Sequence, residues 1–395
     1  MILRLLILLT CLTLLTNAAW GQAASRQTYL KLTEVQELWE EEDYAGALAV
    51  IEDLVERTRG DAYDYALVHQ YLARHCVLAD CEERIRPALD VALAQPNLPD
   101  EMMTMLYLFY AQVVLSEAEY ALAAEYYEKW MASTIMDPSP EHMFSASYAH
   151  FEIKNYDRAE ELVVRAIENG KPARINWSQL HYEILMAVDR PTDAEAVAAD
   201  LLERYPLSEK AWQMLGNHYL RIEEMARALP IFAIAWSQGI LTSEMDAKRI
   251  VSLYSYVETP ERAARLMEKL VEEAVVEEDF DTLKRIGELW LLSRERPKAI
   301  AALSKAAEYA EDGKTDEMLA GIHFEEEEWA EAHTRYMLAI ERGAAEDNSR
   351  IHLLAGVSAW RAGLNDEARI SLQEALKHDE VKGQARSVLR QMDRS

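Results

Sequence analysis

Cysteine is nearly missing from this chain: three residues in 395, at positions 11, 76 and 81. So few thiols exclude a disulfide-dense scaffold, and His75, Cys76 and Cys81 do not have the ligand spacing of a zinc site. Alternating β-branched runs are absent too, which removes the usual mark of a half-buried strand. Glycine (13) and proline (11) are sparse, and no Pro/Gly/Ser-rich stretch divides the chain into domains. Positive charge falls well short of negative, 41 Lys and Arg against 69 Asp and Glu, for a net charge of −28. Such a surface repels nucleic acid and anionic headgroups and attracts a basic partner. Catalytic signatures are missing as well: no P-loop, no G-x-G-x-x-G behind a strand, no H-E-x-x-H and no G-x-S-x-G. The ten histidines are scattered, and His323 and His333, which flank a glutamate run, are too far apart to share one helical turn. No enzyme, cofactor or metal is expected.

Only one long apolar run is present, Leu5 to Leu15, behind the positive Arg4 and ahead of Ala19-Trp20-Gly21. This is the layout of a secretory leader, expected over residues 1–21. The run is about half the ~20 apolar residues a spanning helix needs, so no integral membrane span is expected after cleavage. Losing Arg4 with the leader takes the net charge from −28 to −29. Export would leave Cys76 and Cys81 in an oxidising compartment, five residues apart and able to pair, or standing as two free thiols.

What the chain has in abundance is periodic alanine. Ala123, Ala159, Ala194, Ala228, Ala263, Ala299, Ala332 and Ala368 follow one another at intervals of 33 to 36 residues. Apolar residues recur four and seven positions after each, as in Phe232 and Ala235. Glycine stands twelve positions before three of these alanines, at Gly216, Gly287 and Gly356, although it costs about 1 kcal/mol inside a helix. One copy is complete: Trp212, Leu215, Gly216 and Tyr219, then Ala228 and Phe232. It resembles the tetratricopeptide repeat (TPR), W-x₂-L-G-x₂-Y…A-x₃-F, in which small residues let two helices of a hairpin approach and large ones fill the space to the next. The expected fold is all-α, a right-handed superhelical solenoid of about nine to ten hairpins over residues 28–382, with 383–395 as a C-terminal capping segment. Two weaker copies come first, one at Trp39, Tyr44, Ala47 and Ile51 and one from Tyr71 to Leu93. The second carries Arg84 and Pro87, so its second helix is expected to be short or kinked.

In such a stack the first helix of each hairpin lines a concave surface, and a protein partner lies there. Counting from the tryptophan position, the inward residues expected to bind are Phe144, Tyr148, Phe151 and Glu152, then Glu183, Asn217 and Arg221, then Tyr256 and Glu288. Aromatic rings suit apolar or proline-rich segments, and the glutamates suit lysine or arginine. Lys210, Asn217 and Arg221 also imitate, within one repeat, the set that clamps a C-terminal carboxylate.

Four further stretches narrow the resemblance: Tyr126-Tyr127-Glu128-Lys129-Trp130-Met131, Trp212 to Gly216 with Tyr219, Trp236-Ser237-Gln238-Gly239-Ile240-Leu241, and Ala263 to Lys269. Over roughly residues 105 to 380 the chain is similar to exported TPR proteins encoded beside TonB–ExbB–ExbD energy-transduction systems. That resemblance implies a periplasmic scaffold for TonB-dependent uptake. Its implied partner is a basic or proline-rich periplasmic segment of a TonB- or ExbD-like protein. A scaffold for another envelope assembly (outer-membrane protein insertion, cell-wall synthesis or pilus assembly) is the alternative.

Overall fold

A computed structural model describes residues 24–133, 138–170, 174–348 and 350–394. The expected leader, 1–21, lies outside the described residues. Among the described residues the chain is all-α, with no strand, and its helices pair in sequence as ten hairpins. It divides into two compact units, the first ending at Arg204 and the second beginning at Tyr205.

The first unit holds five hairpins. They are α1 (Arg26–Glu40) with α2 (Tyr44–Thr58), α3 (Ala62–Leu78) with α4 (Ile85–Leu93), α5 (Asp100–Ser116) with α6 (Tyr120–Ser133), α7 (Pro140–Glu152) with α8 (Tyr156–Asn169), and α9 (Ile175–Ala187) with α10 (Pro191–Arg204). The second unit continues the scheme with α11 (Glu209–Arg221) and α12 (Met225–Ser237), α13 (Glu244–Tyr256) and α14 (Pro260–Glu272), and α15 (Phe280–Leu292) and α16 (Arg296–Tyr309). It ends with α17 (Lys314–Glu325) and α18 (Trp329–Glu341), a four-residue turn of helix α19 (Ala344–Asp347), α20 (Arg350–Arg361) and α21 (Asn365–Ala375), and a last helix α22 (Asp379–Met392).

The periodic alanines are the reason these helices pair. All eight are fully buried, and the residues four later, from Tyr127 to Leu372, are buried with them. A Cβ added at Gly216 would stand 2.5 Å from the Phe232 ring, one at Gly287 2.5 Å from Leu303, and one at Gly356 2.6 Å from Leu372. The glycines are therefore the space into which the partner helix's large side chain fits, which repays their helix cost in packing.

Three-residue turns join the two helices of nine of the hairpins, and the middle residue of each is left-handed: Glu42, Ala118, Lys154, Asp189, Glu223, Glu258, Arg294, Glu327 and Gly363. Only the last of these is glycine, so the other turns each carry about 1 kcal/mol of backbone strain. One recurring bond offsets it. The N–H of the third turn residue donates to the carbonyl five residues back, as from Asp43 to Leu38 (2.8 Å), Glu224 to Tyr219 (2.8 Å) and Leu364 to Ala359 (2.8 Å). This is the closing bond of a Schellman motif, and it satisfies a carbonyl that the helix end leaves open.

The α3–α4 hairpin departs from the pattern where Arg84 and Pro87 predict it. A 3₁₀ turn, Glu82–Arg84, precedes α4, which is only nine residues long. Pro87 falls in the first turn of α4, where its missing N–H has no helical partner to lose. Cys76 in α3 and Cys81 at the start of the 3₁₀ turn are joined by a disulfide with Cα atoms 4.5 Å apart, and the Cys81 N–H still donates to the Cys76 carbonyl. At the other end, α22 buries Val381, Ala385 and Met392 against the last hairpin. Position 383 lies within α22.

Candidate functional site

The first helix of a repeat has one face committed to its hairpin partner and another left outside it. That free face positions the candidate residues, because residues three, four or seven apart stack along one side of a helix. In the first unit α7 places Tyr148 and Glu152 one turn apart. The Tyr148 ring meets the ring of Tyr120 edge-on, centroids 5.9 Å apart and planes at 89°. Burial first, then hydrogen bonding to Glu152 and Tyr120, pushes the Tyr148 hydroxyl well above its usual range. The phenol therefore stays protonated and neutral, while Glu152 is exposed beside it.

Phe144 and Phe151 are half-buried and contribute to packing. Phe144 stacks on Trp177 of the next repeat at 6.1 Å, and Phe151 leans on Tyr156 at 5.9 Å. Arg174 covers the same Trp177 ring at 5.4 Å and bonds Glu141 at 2.8 Å. Glu183 is exposed on α9. The structure thus gathers Tyr148 and Glu152 into one cluster with Tyr120, and turns the two phenylalanines partly into the core.

Behind this face lies a polar knot. Glu128 accepts from Arg158 through both carboxylate oxygens (2.7 and 3.0 Å) and sits 3.0 Å from His150 Nε2. Burial opposes its charge, yet Arg158 and His150 hold Glu128 below the usual carboxylate range. Burial lowers His150 in turn, against the pull of Glu128. The knot ties α6, α7 and α8 together and so fixes the angle at which Tyr148 is presented.

In the second unit Asn217 and Arg221 are exposed on α11, four residues apart, with Lys210 exposed on the same helix. Tyr256 at the end of α13 is 65% exposed. Glu288 is only half-exposed, with its carboxylate 3.7 Å from Arg285, which also reaches Ser255 Oγ at 3.4 Å. That intrahelical pair leaves less of the Glu288 charge for a partner.

Sequence reasoning passed over Tyr120, which belongs to a second helix and so falls outside any count of first-helix positions. Its signal is its place as the first helical residue after a turn, next to the Tyr148 face. It also passed over a ring stack in the N-terminal repeats. Trp39 and Tyr71 lie parallel at 5.6 Å, Arg74 covers both rings at 5.5 and 5.8 Å, and Gln36 donates to the Tyr71 hydroxyl at 2.6 Å. The weak match of these repeats to the periodic pattern hid it. Among the described residues, no group of three or more His, Cys, Asp or Glu is placed to hold a metal ion. No described helix is long and apolar enough to cross a membrane.

Comparison with known proteins agrees with this architecture. Residues 183–238 and 318–385 match a family model described as tetratricopeptide repeat. No curated protein matches the chain. Among solved structures, a tetratricopeptide repeat protein from Parabacteroides merdae ATCC 43184 is similar at 12% identity and a TM-score of 0.42, over 68% of this chain and 100% of that one. YrrB, described as a TPR protein with an unusual peptide-binding site, is similar at 17% identity and 0.35, over 49% of this chain and 97% of its own. Pseudomonas aeruginosa PilF is similar at 16% and 0.35, over 52% and 90%. The matched repeats are of a type that serves as a scaffold for protein–protein interaction.

Proposed function

We propose that this chain is a periplasmic TPR scaffold that binds a basic, extended, proline-containing segment of a TonB–ExbB–ExbD-type partner through the first-helix face of its N-terminal unit. On this reading residues 1–21 are the export leader, 28–382 the repeat body and 383–395 the cap. The observation that carries the proposal is the Tyr120–Tyr148–Glu152 cluster. Two phenol rings set edge to face offer a surface on which a proline ring or the stem of a lysine can lie. The carboxylate one turn away supplies the opposite charge for the head group. A polyproline II segment is already extended, so little conformational entropy is lost when it settles on such a face. The net charge of −28 adds long-range attraction for a basic segment, and the Cys76–Cys81 bond is compatible with an oxidising compartment.

The test is calorimetric titration of the mature protein with the partner's basic, proline-rich segment at low and at high salt. Binding should weaken as salt rises, because exposed charges are screened beyond about 10 Å at 0.1 M. Tyr148→Ala combined with Glu152→Lys should weaken it at least about tenfold, the effect of losing one anchor ring and reversing one charge. Unchanged affinity in that variant removes the cluster as the binding site.

A further inference from the structure

The second unit contains a cleft that the proposed peptide face does not use. It lies on the second-helix side, between α14 and α16, with α15 beneath, and has a volume of about 470 Å³. Its floor is apolar: Val271, Leu283 and Ile286, with Ala301 and Ala302 leaving the space where larger side chains would close it. Its two banks carry opposite charge. Glu268, Glu272 and Glu278 line one side, and Lys298 and Lys305 line the other.

The banks are also regular. Glu268 and Glu272 are one turn apart on α14, roughly 6 Å along its axis, and Lys298 and Lys305 two turns apart on α16, roughly 10.5 Å. Charges repeating at whole helical turns match the flanks of another helix laid alongside. Part of the machinery is already committed: Glu268 accepts from Trp290 Nε1 at 2.7 Å, while Lys298 covers the Trp290 ring at 4.2 Å and pairs with Glu295 at 3.3 Å. Glu272, Glu278 and Lys305 have no ion-pair partner among the described residues, so they can answer charges brought by a ligand.

We infer that this cleft docks an amphipathic helix of a partner protein, whose apolar stripe is flanked by lysine or arginine on one side and by glutamate or aspartate on the other. The apolar stripe fills the space over Ala301 and Ala302. Its basic flank meets Glu272 and Glu278, and its acidic flank meets Lys305. Because the two banks differ in sign, the charges fix the direction in which the helix lies: a helix with its flanks exchanged turns end for end, and one with both signs mixed on each flank meets like charge in either direction.

The experiment uses the full mature chain and a fluorescent synthetic peptide of about 18 residues, long enough to hold a helix in water. The peptide carries a leucine stripe with lysines on one flank and glutamates on the other. A second peptide of the same composition has lysines and glutamates mixed on both flanks, so that neither direction matches the banks. Anisotropy should show the first peptide binding about tenfold tighter than the second, a difference of one decade. The variant Glu272→Lys, Glu278→Lys, checked by circular dichroism for an unchanged fold, makes both banks basic and should erase that preference. Ala301→Trp should abolish binding of both peptides by filling the floor. Tyr148→Ala with Glu152→Lys should leave the preference intact, so this inference and the peptide-face proposal can fail separately. Equal affinity for the two peptides, or a double variant that keeps the preference, overturns the inference. So does self-association of the protein that the same double variant abolishes, since the occupant would then be a second copy.

Discussion

The two units close their hairpins by different means. In the second, three of the close approaches are made by removing a side chain: Gly216, Gly287 and Gly356 sit under Phe232, Leu303 and Leu372. In the first unit no glycine takes that place. Ser147 holds the equivalent position in α7, and its hydroxyl donates to the Ala159 carbonyl at 2.7 Å, so a hydrogen bond replaces a packed ring. In α9 the sizes are inverted: the large Tyr182 stands where glycine does elsewhere, and Ala198 stands where Phe232 does. One repeat geometry therefore tolerates several side-chain solutions, provided the combined volume across the hairpin is kept.

The units also differ in how they treat buried polar groups. The second holds buried carboxylates by charge. Asp316 in α17 accepts from Arg335 and from Arg342, both at 2.9 Å, and Arg342 also donates to the Ala307 carbonyl at 2.7 Å. The first holds its buried Asp64 with neutral donors, Thr28 Oγ1 at 2.7 Å and the Ser25 N–H at 3.0 Å. It also carries the disulfide and five imidazoles that burial holds below their ordinary value, against His352 in the second, so chemistry and pH should act on it more strongly than on its neighbour.

The largest expected effect is at Asp316. Asp316→Ala leaves two guanidiniums facing a buried gap and should cost about 3 kcal/mol, the lower end for a broken buried pair because both arginines are partly exposed. Hydrogen exchange should show the loss between α16 and α18 and little change in the first unit. Uniform loss across both units would mean that they unfold as one.

Next comes Gly287→Val, which forces side-chain atoms into Leu303 and should cost about 2 kcal/mol in a urea melt. Ser147→Ala in the first unit loses one hydrogen bond and should cost about 1 kcal/mol. Equal costs would erase the distinction between packed and bonded hairpins. Cys81→Ser, or reduction, removes a short cross-link from the first unit. Because the loop closed is small, the loss should be about 2 kcal/mol and confined to α3 and α4.

The smallest effect is that of mild acid. Burial pushes His69, His75, His142, His150 and His181 of the first unit below their ordinary value of 6.5, as it does His352 of the second. With folded values depressed, the unfolded chain takes up protons first as pH falls below 6.5. The stability these groups contribute is therefore complete above 6.5 and is lost as pH falls toward the folded values. At His75 burial acts first and the nearby Arg84 charge adds to it, and protonation of Nδ1 would also break the bond it accepts from Trp39 Nε1 at 3.2 Å. Thermal melts from pH 7 to pH 5 should lower the transition of the first unit more than that of the second. Parallel shifts would show that the imidazoles are not what separates them.

Much of the architecture was legible because it rests on spacing. An alanine every 33 to 36 residues, with apolar residues four and seven later, has to become buried hairpin packing, and every one of those alanines is buried. The short α4 was legible for the same reason, since Arg84 and Pro87 break a pattern the other repeats keep. The candidate face was harder to read. Counting positions put Tyr148 and Glu152 one turn apart on one helix, yet it treated Phe144, Phe151 and Glu288 as equally free. Their neighbours Trp177, Tyr156 and Arg285 decide otherwise, and a position count does not weigh contacts.

The sequence alone determined the secondary structure, the hairpin as the repeating unit and the register of its small and large residues. Each of these is a local or periodic property, written in residues that are neighbours in the chain or one repeat apart. Only the tertiary structure decided which groups on that framework are available. Tyr120 joining Tyr148, Arg285 occupying Glu288, and opposite charges facing each other across the α14–α16 cleft all depend on distances between side chains from different helices. Those distances are set by how far neighbouring helices approach, and that depends on the volumes packed between them.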